Sequence, residues 1–106
     1  MHQIAIVTTT LPSATSIHMV KSFKSKFVKA KLSACAQSNK INSTYSWDDK
    51  LVSEDEWRII FKTTTNRVDE LITAITKAHP YEIPQIVHRI EYTTKEYFTW
   101  VEAQVS

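Results

Sequence analysis

The stretch SACAQSNKINSTYSWDDKLVSEDEWRIIFKTT, residues 33–64, contains two runs of β-branched and aromatic side chains on either side of the short Asp48–Asp49 connection. Two such runs joined by a short turn are typical of a β-hairpin. Each predicted arm, residues 33–47 and 51–64, is much longer than the common strand length of about five or six residues. We therefore predict a long hairpin that projects beyond the small sheet to which it belongs.

Aromatic side chains are concentrated in this hairpin, at Tyr45, Trp47 and Trp57. Exposed strand edges and aromatic patches recruit other strands, so such a hairpin would be an aggregation hazard in a monomer. Closed oligomerisation removes the hazard, because each subunit covers the exposed surface of its neighbour. We predict that these three aromatic residues lie at a subunit interface.

The segments around the hairpin predict the remaining elements from their hydrophobic spacing and their capping residues. These are a strand at Ile4–Thr9, a helix from Pro12 and Ser13 to Lys31, a helix capped by Asn66 that runs to Ala78, a strand at Ile86–Ile90 and a helix at Thr94–Ala103. The order β-α-β-β-α-β-α predicts an α+β fold: a ferredoxin-like split βαβ sandwich with an extra C-terminal helix. We expect a single domain over residues 1–106, with one sheet face left for partners.

The segment His79-Pro80-Tyr81-Glu82-Ile83-Pro84 places an imidazole, a phenol and a carboxylate between two prolines. Proline restricts the preceding residue to extended conformations, so His79 should leave the helix and lie in a rigid polar loop. The three side chains offer a metal ligand, a hydrogen-bond donor and an anion, which makes this loop the best candidate for a ligand site. The structural alternative is that His79 ends the helix and Tyr81 packs at a subunit boundary.

The chain resembles the CutA divalent-cation-tolerance family in the order and spacing of several short segments that together cover nearly its whole length. These segments are Leu32–Ala36, Ser43–Trp47, Glu56, Lys62–Thr63, His79–Pro84 and Tyr97–Trp100. The resemblance implies a homotrimer whose sheets assemble around a threefold axis, and a role in tolerance of divalent metals such as copper.

The resemblance also brings Glu56 and Lys62 to the same intersubunit cleft as His79, Tyr81 and Glu82. We predict that this cleft binds a metal ion or a small ligand. One alternative is that Glu56 and Lys62 pair with each other across the subunit boundary. A second is a structural or signalling trimer that resembles PII proteins, acts through protein partners and binds metal only incidentally.

Copper is the metal associated with the family. In some members, a cysteine at the end of the first strand and a second histidine directly before the His-Pro-Tyr motif are proposed ligands. Thr9 and Ala78 occupy those positions here, which leaves His79 as the predicted metal residue. Copper or another divalent metal is therefore a candidate cofactor, and none is expected to be obligatory.

Charge and composition exclude several other classes of protein. The net charge is +2, although residues 1–47 carry six lysines and no acidic residue. The five lysines between residues 21 and 31 are interpreted as a solvated helix face, with an anion site as the alternative. Arginine is scarce and no aromatic residues interleave the lysines, so we expect no nucleic-acid partner.

Neither a catalytic motif nor a membrane segment is evident. No Gly-rich phosphate loop, HExxH motif, CxxC motif or Ser/His/Asp order is present, so we expect a binding protein and not an enzyme. A single cysteine, Cys35, excludes an internal disulfide. No apolar run approaches the roughly 18–20 residues of a membrane span and no secretory signal is recognisable, which predicts a cytoplasmic protein.

The chain contains no glycine, so its tight turns must use other residues. Asparagine, aspartate and serine tolerate turn conformations because their short polar side chains support unusual dihedrals. The resembled family usually has glycine in the turn at residues 47–50. We therefore predict that Asp49 adopts a positive φ.

Overall fold

The computed structural model describes residues 1–106, and its elements follow the predicted order. The strands are β1 (His2–Pro12), β2 (Cys35–Trp47), β3 (Lys50–Thr63) and β4 (Ile86–Thr93). The helices are α1 (Ile17–Lys29), α2 (Val68–Ala78) and α3 (Lys95–Gln104). The predicted α+β class and the ferredoxin-like arrangement with a long hairpin and a C-terminal helix are confirmed.

The four strands form one antiparallel sheet in the order β2-β3-β1-β4. β1 lies between two strands and is buried from Ile4 to Leu11, which explains why its sequence is apolar without helical spacing. Successive side chains of a strand point to opposite faces, so β1 contributes to two separate cores. On one face, α1 and α2 enclose a core built around Phe27, Phe61 and Leu71.

The opposite face of the sheet is covered in part by α3. Ile4 and Ile6 of β1 pack there against Val101 and Val105. Ile60 and the aromatic residues Tyr97 and Phe98 flank this smaller core. The C-terminal helix α3 therefore covers part of the sheet face that we predicted to be free for partners.

The hairpin projects beyond the rest of the sheet, as predicted. β1 pairs with β3 only as far as Glu56, whereas β2 and β3 remain paired to Trp47 and Lys50. Residues 42–55 therefore form a two-stranded extension, and the molecule measures 45 × 27 × 22 Å. At its tip Asp48 and Asp49 have φ values of 54° and 60°, the two positive values of a type I′ turn. The prediction for Asp49 is confirmed, and Asp48 shares the same strain.

Two predicted helix starts are wrong and one is confirmed. α1 begins at Ile17, because Pro12 still belongs to β1 and the hydroxyl of Ser16 accepts the Met19 N–H at 3.2 Å. Asn66 does not cap α2, whose first turn follows Arg67 with no side-chain cap. α3 begins at Lys95, directly after the predicted start at Thr94, because the Thr94 hydroxyl caps the helix by accepting the Tyr97 N–H.

Candidate functional site

Four side chains of the hairpin come together because they share one face of the sheet. Ser43 pairs with Glu54 and Ile41 pairs with Glu56, so the odd-numbered residues of β2 lie on the same face as the even-numbered residues of β3. This alternation groups Tyr45, Trp47, Glu54 and Glu56. They form one wall of a cavity of about 410 Å³ on the face that α3 leaves open.

The loop between α2 and β4 forms the other wall of this cavity. His79 ends α2 in an extended conformation (φ −76°, ψ 137°), as expected for a residue before proline. Its Nε2 atom lies 2.7 Å from the Thr10 carbonyl oxygen, and its Nδ1 atom accepts the Tyr81 N–H at 3.1 Å. The Nε2 bond therefore holds the predicted rigid loop to the central strand, and the Nδ1 bond stabilises the loop from within.

This pair of hydrogen bonds fixes the protonation state of His79. Only the neutral tautomer with hydrogen on Nε2 can donate to the Thr10 carbonyl while keeping a lone pair on Nδ1 for the Tyr81 N–H. Burial lowers the pKa of His79 below its usual value, against the opposing effects of the Thr10 carbonyl and the Glu56 carboxylate. The imidazole is thus neutral near pH 7.

Two tyrosine–glutamate hydrogen bonds lie in the cavity: Tyr81–Glu56 joins its two walls, and Tyr45–Glu54 lies within the hairpin wall. The Tyr81 hydroxyl donates to Glu56 Oε2 at 2.9 Å, and the Tyr45 hydroxyl donates to Glu54 Oε1. Burial, reinforced by the Glu56 carboxylate, raises the pKa of Tyr81. The hydrogen bond to Glu54 raises the pKa of Tyr45 to about 12. Both phenols therefore keep their protons at neutral pH.

Glu56 is the most unusual group of this site. Its residue is only 6% exposed, yet it forms no ion pair with any Lys, Arg or His of the chain. Oε2 accepts the Tyr81 hydroxyl, while Oε1 accepts no hydrogen bond from the chain and is accessible from the cavity. Buried carboxylates are costly unless a cation or several donors compensate the charge. With Glu54 and Glu82 also lining the cavity and no basic residue among its walls, the site is strongly acidic.

Lys62 is separated from the other predicted cleft residues within one chain. It lies six residues along β3 from Glu56, a distance of about 20 Å at the rise of a strand. Its ammonium group stands 5.7 Å from the centroid of the Tyr97 ring, beside α3. Its grouping with Glu56, His79, Tyr81 and Glu82 stays a prediction that requires a neighbouring subunit.

The three predicted interface aromatics occupy different environments. Tyr45 and Trp47 are 38% and 50% exposed on the projecting hairpin. Trp57 instead faces the α1 side of the sheet, where its indole N–H donates to the Thr15 carbonyl at 3.0 Å and the Lys40 ammonium lies 4.7 Å from its ring. Trp57 has several contacts within the chain, whereas Tyr45 and Trp47 lie on the open face, and the interface role of all three stays a prediction.

Sequence reasoning missed Glu54 and Thr10 as parts of the site and assigned Tyr45 and Trp47 to an interface alone. The signal for Glu54 was its spacing of two residues from Glu56, which places both carboxylates on one face of a strand. Thr10 could not be found in this way, because its contribution is a backbone carbonyl oxygen.

The donor atoms of one chain do not fit a copper ion at His79. Cu(II) and Zn(II) prefer imidazole and thiolate ligands, but both nitrogens of His79 are engaged in hydrogen bonds. The thiol of Cys35 lies elsewhere, 3.7 Å from the Tyr97 hydroxyl. No group of three His, Cys, Asp or Glu side chains is arranged to hold a metal ion. Metal ligation by His79 stays a prediction, and it would require the ring to break both bonds.

None of the three helices is long and apolar enough to cross a membrane.

Comparison with known proteins identifies the family. Residues 5–104 match the family model of the CutA1 divalent ion tolerance protein. The chain is 37% identical over 81 residues to the divalent-cation tolerance protein CutA of Thermotoga maritima, a match that covers 76% of this chain and 80% of that protein.

Solved structures give the same result over almost the entire fold. The periplasmic divalent cation tolerance protein CutA of Archaeoglobus fulgidus superposes with a TM-score of 0.88 at 25% identity, covering 97% of this chain and 99% of that one. The PII-like protein CutA of Nostoc sp. PCC 7120 superposes with a TM-score of 0.85 at 26% identity, covering 96% and 97%. Family match, sequence identity and fold agree, and the chain belongs to the CutA1 divalent ion tolerance family.

Proposed function

We propose that this chain is a non-catalytic, trimeric binding protein of divalent-cation tolerance, and that its acidic cavity binds a small cationic ligand. The observation that carries the proposal is the buried Glu56 carboxylate, which has one oxygen without a hydrogen bond and no cation of the chain beside it. A bound cation would supply the missing countercharge. Occupancy would then change the surface that the hairpin and the His79–Gln85 loop show to a protein partner.

The charge of the cavity favours a cation over an anion. Glu54, Glu56 and Glu82 line it, and Lys62, the predicted basic member of the cleft, lies near Tyr97. Binding an anion here would add charge repulsion to the desolvation of three carboxylates. A cationic ligand also agrees with the divalent-cation tolerance for which the relatives are named.

Trimer formation is part of this proposal. The two-stranded extension at residues 42–55 leaves Tyr45, Trp47 and Leu51 exposed, and the sheet ends in the unpaired edges of β2 and β4. A closed ring of three subunits would cover these surfaces and would place the cavity at a subunit boundary. We propose the cytoplasm as the compartment, although the relative from Archaeoglobus fulgidus is described as periplasmic.

A structural or signalling trimer without a ligand is the second candidate. The long exposed hairpin favours it, and the relative from Nostoc is described as PII-like. In this case the hairpin would bind a protein partner directly and the cavity would be a by-product of its shape. The two candidates differ in whether substitutions in the cavity abolish a saturable response to a small ligand.

Calorimetric titration of a panel of cations tests the proposed function. The panel contains Cu(II), Zn(II), Ca(II), Mg(II) and ammonium compounds, and the chain is compared with Glu56→Gln and Glu102→Gln. Glutamine at position 56 keeps an acceptor for the Tyr81 hydroxyl and removes the charge, while Glu102 lies on the exposed side of α3. We expect saturable binding of at least one cation that Glu56→Gln weakens by about tenfold or more, or about 1.4 kcal/mol, and Glu102→Gln leaves unchanged. A cation affinity that is the same in the unmodified chain and in Glu56→Gln would contradict the proposal.

Sedimentation of the same samples tests the assembly. A trimer has three times the 12.2 kDa mass of the chain, whereas a monomer or dimer would overturn this part of the proposal. A test in cells compares the chain with Glu56→Gln in a host that lacks its own family member and is stressed with copper. We expect growth to improve with the unmodified chain only.

A further inference from the structure

We infer that the ligand of the cavity is a small organic ammonium ion, held by the Glu54 and Glu56 carboxylates and by the aromatic rings of Tyr45 and Tyr81, which are hydrogen-bonded to them. This inference rests on the proposed function, because it names the ligand class of the same cavity. The compounds meant are alkylated amines with a permanent or near-permanent positive charge, for which choline is the representative probe.

The size of the cavity favours an organic ligand over a bare metal ion. Its volume of about 410 Å³ falls within the range of roughly 300–1,000 Å³ that small-molecule sites occupy. A calcium ion, in contrast, needs six to eight oxygen ligands at about 2.3–2.6 Å, which demands a tightly closed shell. In this cavity a metal ion would leave most of the space to water.

The donor atoms favour the same choice. Glu54 and Glu56 each accept a phenolic hydrogen bond, and neither nitrogen of His79 has a free lone pair. Each carboxylate keeps its other oxygen free of hydrogen bonds. No three His, Cys, Asp or Glu side chains are arranged to hold a metal ion, however, so these oxygens do not form a metal's ligand shell. An alkylammonium ion forms no coordinate bond, since it is attracted by the carboxylate charge and by the negative faces of aromatic rings.

The aromatic walls supply the second half of the recognition. Both phenols stay protonated at neutral pH, so the rings of Tyr45 and Tyr81 are neutral surfaces. Trp47 lines the outer end of the cavity, six strand positions from the Ile41–Glu56 pair, so the ligand does not reach its ring. Aromatic rings that surround a positive charge are a recurring means of recognising quaternary ammonium groups.

Two aromatic rings outside the cavity already hold a cation. The Lys40 ammonium lies 4.7 Å from the Trp57 ring centroid, and the Lys62 ammonium lies 5.7 Å from that of Tyr97. No lysine or arginine lies over the rings of the cavity. The rings of Tyr45 and Tyr81 are therefore available to a cation from solvent, beside the Glu54 and Glu56 carboxylates.

The test is a titration of the full chain with choline and with 3,3-dimethyl-1-butanol, its uncharged carbon analogue of the same shape. The variants are Tyr45→Leu and Glu56→Gln, with Tyr92→Leu and Glu102→Gln as matched controls. Tyr92 is 66% exposed and does not line the cavity. Sedimentation confirms that each variant keeps the assembly of the unmodified chain, and Tyr45→Leu keeps the test valid if Glu56→Gln does not fold.

We expect choline to bind saturably and at least about tenfold more tightly than the neutral analogue. Tyr45→Leu and Glu56→Gln should each weaken choline binding by about tenfold or more. The two control variants should bind choline as the unmodified chain does. Equal binding of the neutral analogue would overturn the inference. A divalent metal that binds through Glu56 while choline does not would overturn it and leave the proposed function standing. If no cation depends on Glu56, the inference and the proposed function both fail.

Discussion

The Tyr81 hydroxyl donates a hydrogen bond of 2.9 Å to the carboxylate of Glu56, which joins the loop after α2 to the base of the projecting hairpin. Twenty-five positions separate the two residues along the chain. It is the hydrogen bond that the chain supplies to the carboxylate of Glu56, a residue that is 6% exposed. It therefore couples the stability of the fold to the charge inside the candidate site.

Removal of this hydroxyl should destabilise the protein. In Tyr81→Phe the Glu56 carboxylate loses the only donor that the chain supplies to it. We expect the free energy of unfolding to fall by about 1.5–3 kcal/mol, as for a hydrogen bond to a buried charged group. Urea denaturation at a fixed protein concentration measures it, since the stability of an oligomer depends on concentration.

The matched control for this prediction is Tyr92→Phe. Tyr92 is 66% exposed and its hydroxyl makes no hydrogen bond within the chain. Its substitution should change the free energy of unfolding by less than about 0.5 kcal/mol. Equal losses in both variants would show that the Tyr81–Glu56 bond contributes nothing specific.

The neutral state of His79 predicts a pH dependence of stability. Burial lowers its folded-state pKa below the unfolded value of about 6.5, so the unfolded chain binds the proton more readily. The contribution is fully present above about pH 6.5 and is lost as the pH falls toward the lowered folded-state pKa. Protonation also ends the hydrogen bond from the Tyr81 N–H to Nδ1.

Urea denaturation from about pH 7.5 to 5.5 measures this effect. We expect the unmodified chain to lose more stability over this interval than His79→Gln, which cannot titrate there. The control is His88→Gln, because the exposed ring of His88 makes no hydrogen bond within the chain. A steep loss that persists in His79→Gln would assign the pH dependence to another group.

The strained turn at the hairpin tip gives a prediction about glycine. Asp49 has a φ of 60°, where glycine has no penalty and alanine has a penalty of about 1–2 kcal/mol. We expect Asp49→Gly to be at least as stable as the unmodified chain and about 1 kcal/mol more stable than Asp49→Ala. Thermal or urea denaturation of the pair measures the difference.

The control pair for the turn is Ser53→Gly and Ser53→Ala. Ser53 lies in β3 with an ordinary strand backbone, where glycine is less favourable than alanine by about 0.5–1 kcal/mol. The order of the two variants should therefore reverse. If glycine is also the less stable choice at position 49, the positive φ does not strain the turn.

The fold was predictable from the sequence because its signals are local. Hydrophobic spacing predicted the strands and helices, and the two long arms around Asp48–Asp49 predicted the projecting hairpin. The start of α1 was missed because Pro12 resembles a helix start, although the chain continues as β1 and Ser16 provides the cap. Asn66 was misread since Arg67, which binds Glu70 and the Val105 carbonyl, takes the N-cap position.

The site was only partly predictable, because its geometry depends on which strand positions meet. Sequence reasoning found His79, Tyr81 and Glu56, but a single residue type could not reveal that His79 is held by a backbone carbonyl. Lys62 was grouped with them from the family resemblance, whereas it lies beside Tyr97 within one chain. The tertiary structure decides which backbone atoms a side chain reaches and how far apart two groups lie in the sheet, so local sequence patterns do not predict either one.

The hydrogen bonds of His79 lead to a last prediction, about copper. Because Nε2 donates to the Thr10 carbonyl and Nδ1 accepts the Tyr81 N–H, the imidazole has no lone pair for a metal without leaving its place. We therefore expect His79→Gln to change the affinity for Cu(II) by less than about twofold, or about 0.4 kcal/mol.

His2→Ala is the comparison, since the amine of Met1 and the His2 imidazole are close enough in sequence to chelate Cu(II) in the chain that begins at Met1. Calorimetric titration of the chain and both variants measures the affinities. A loss of about tenfold or more in His79→Gln alone would show that the ring abandons both hydrogen bonds to bind the metal, and it would restore His79 as the copper ligand. A loss in His2→Ala alone would assign the binding to the amino terminus, which leaves the cavity to a different cation.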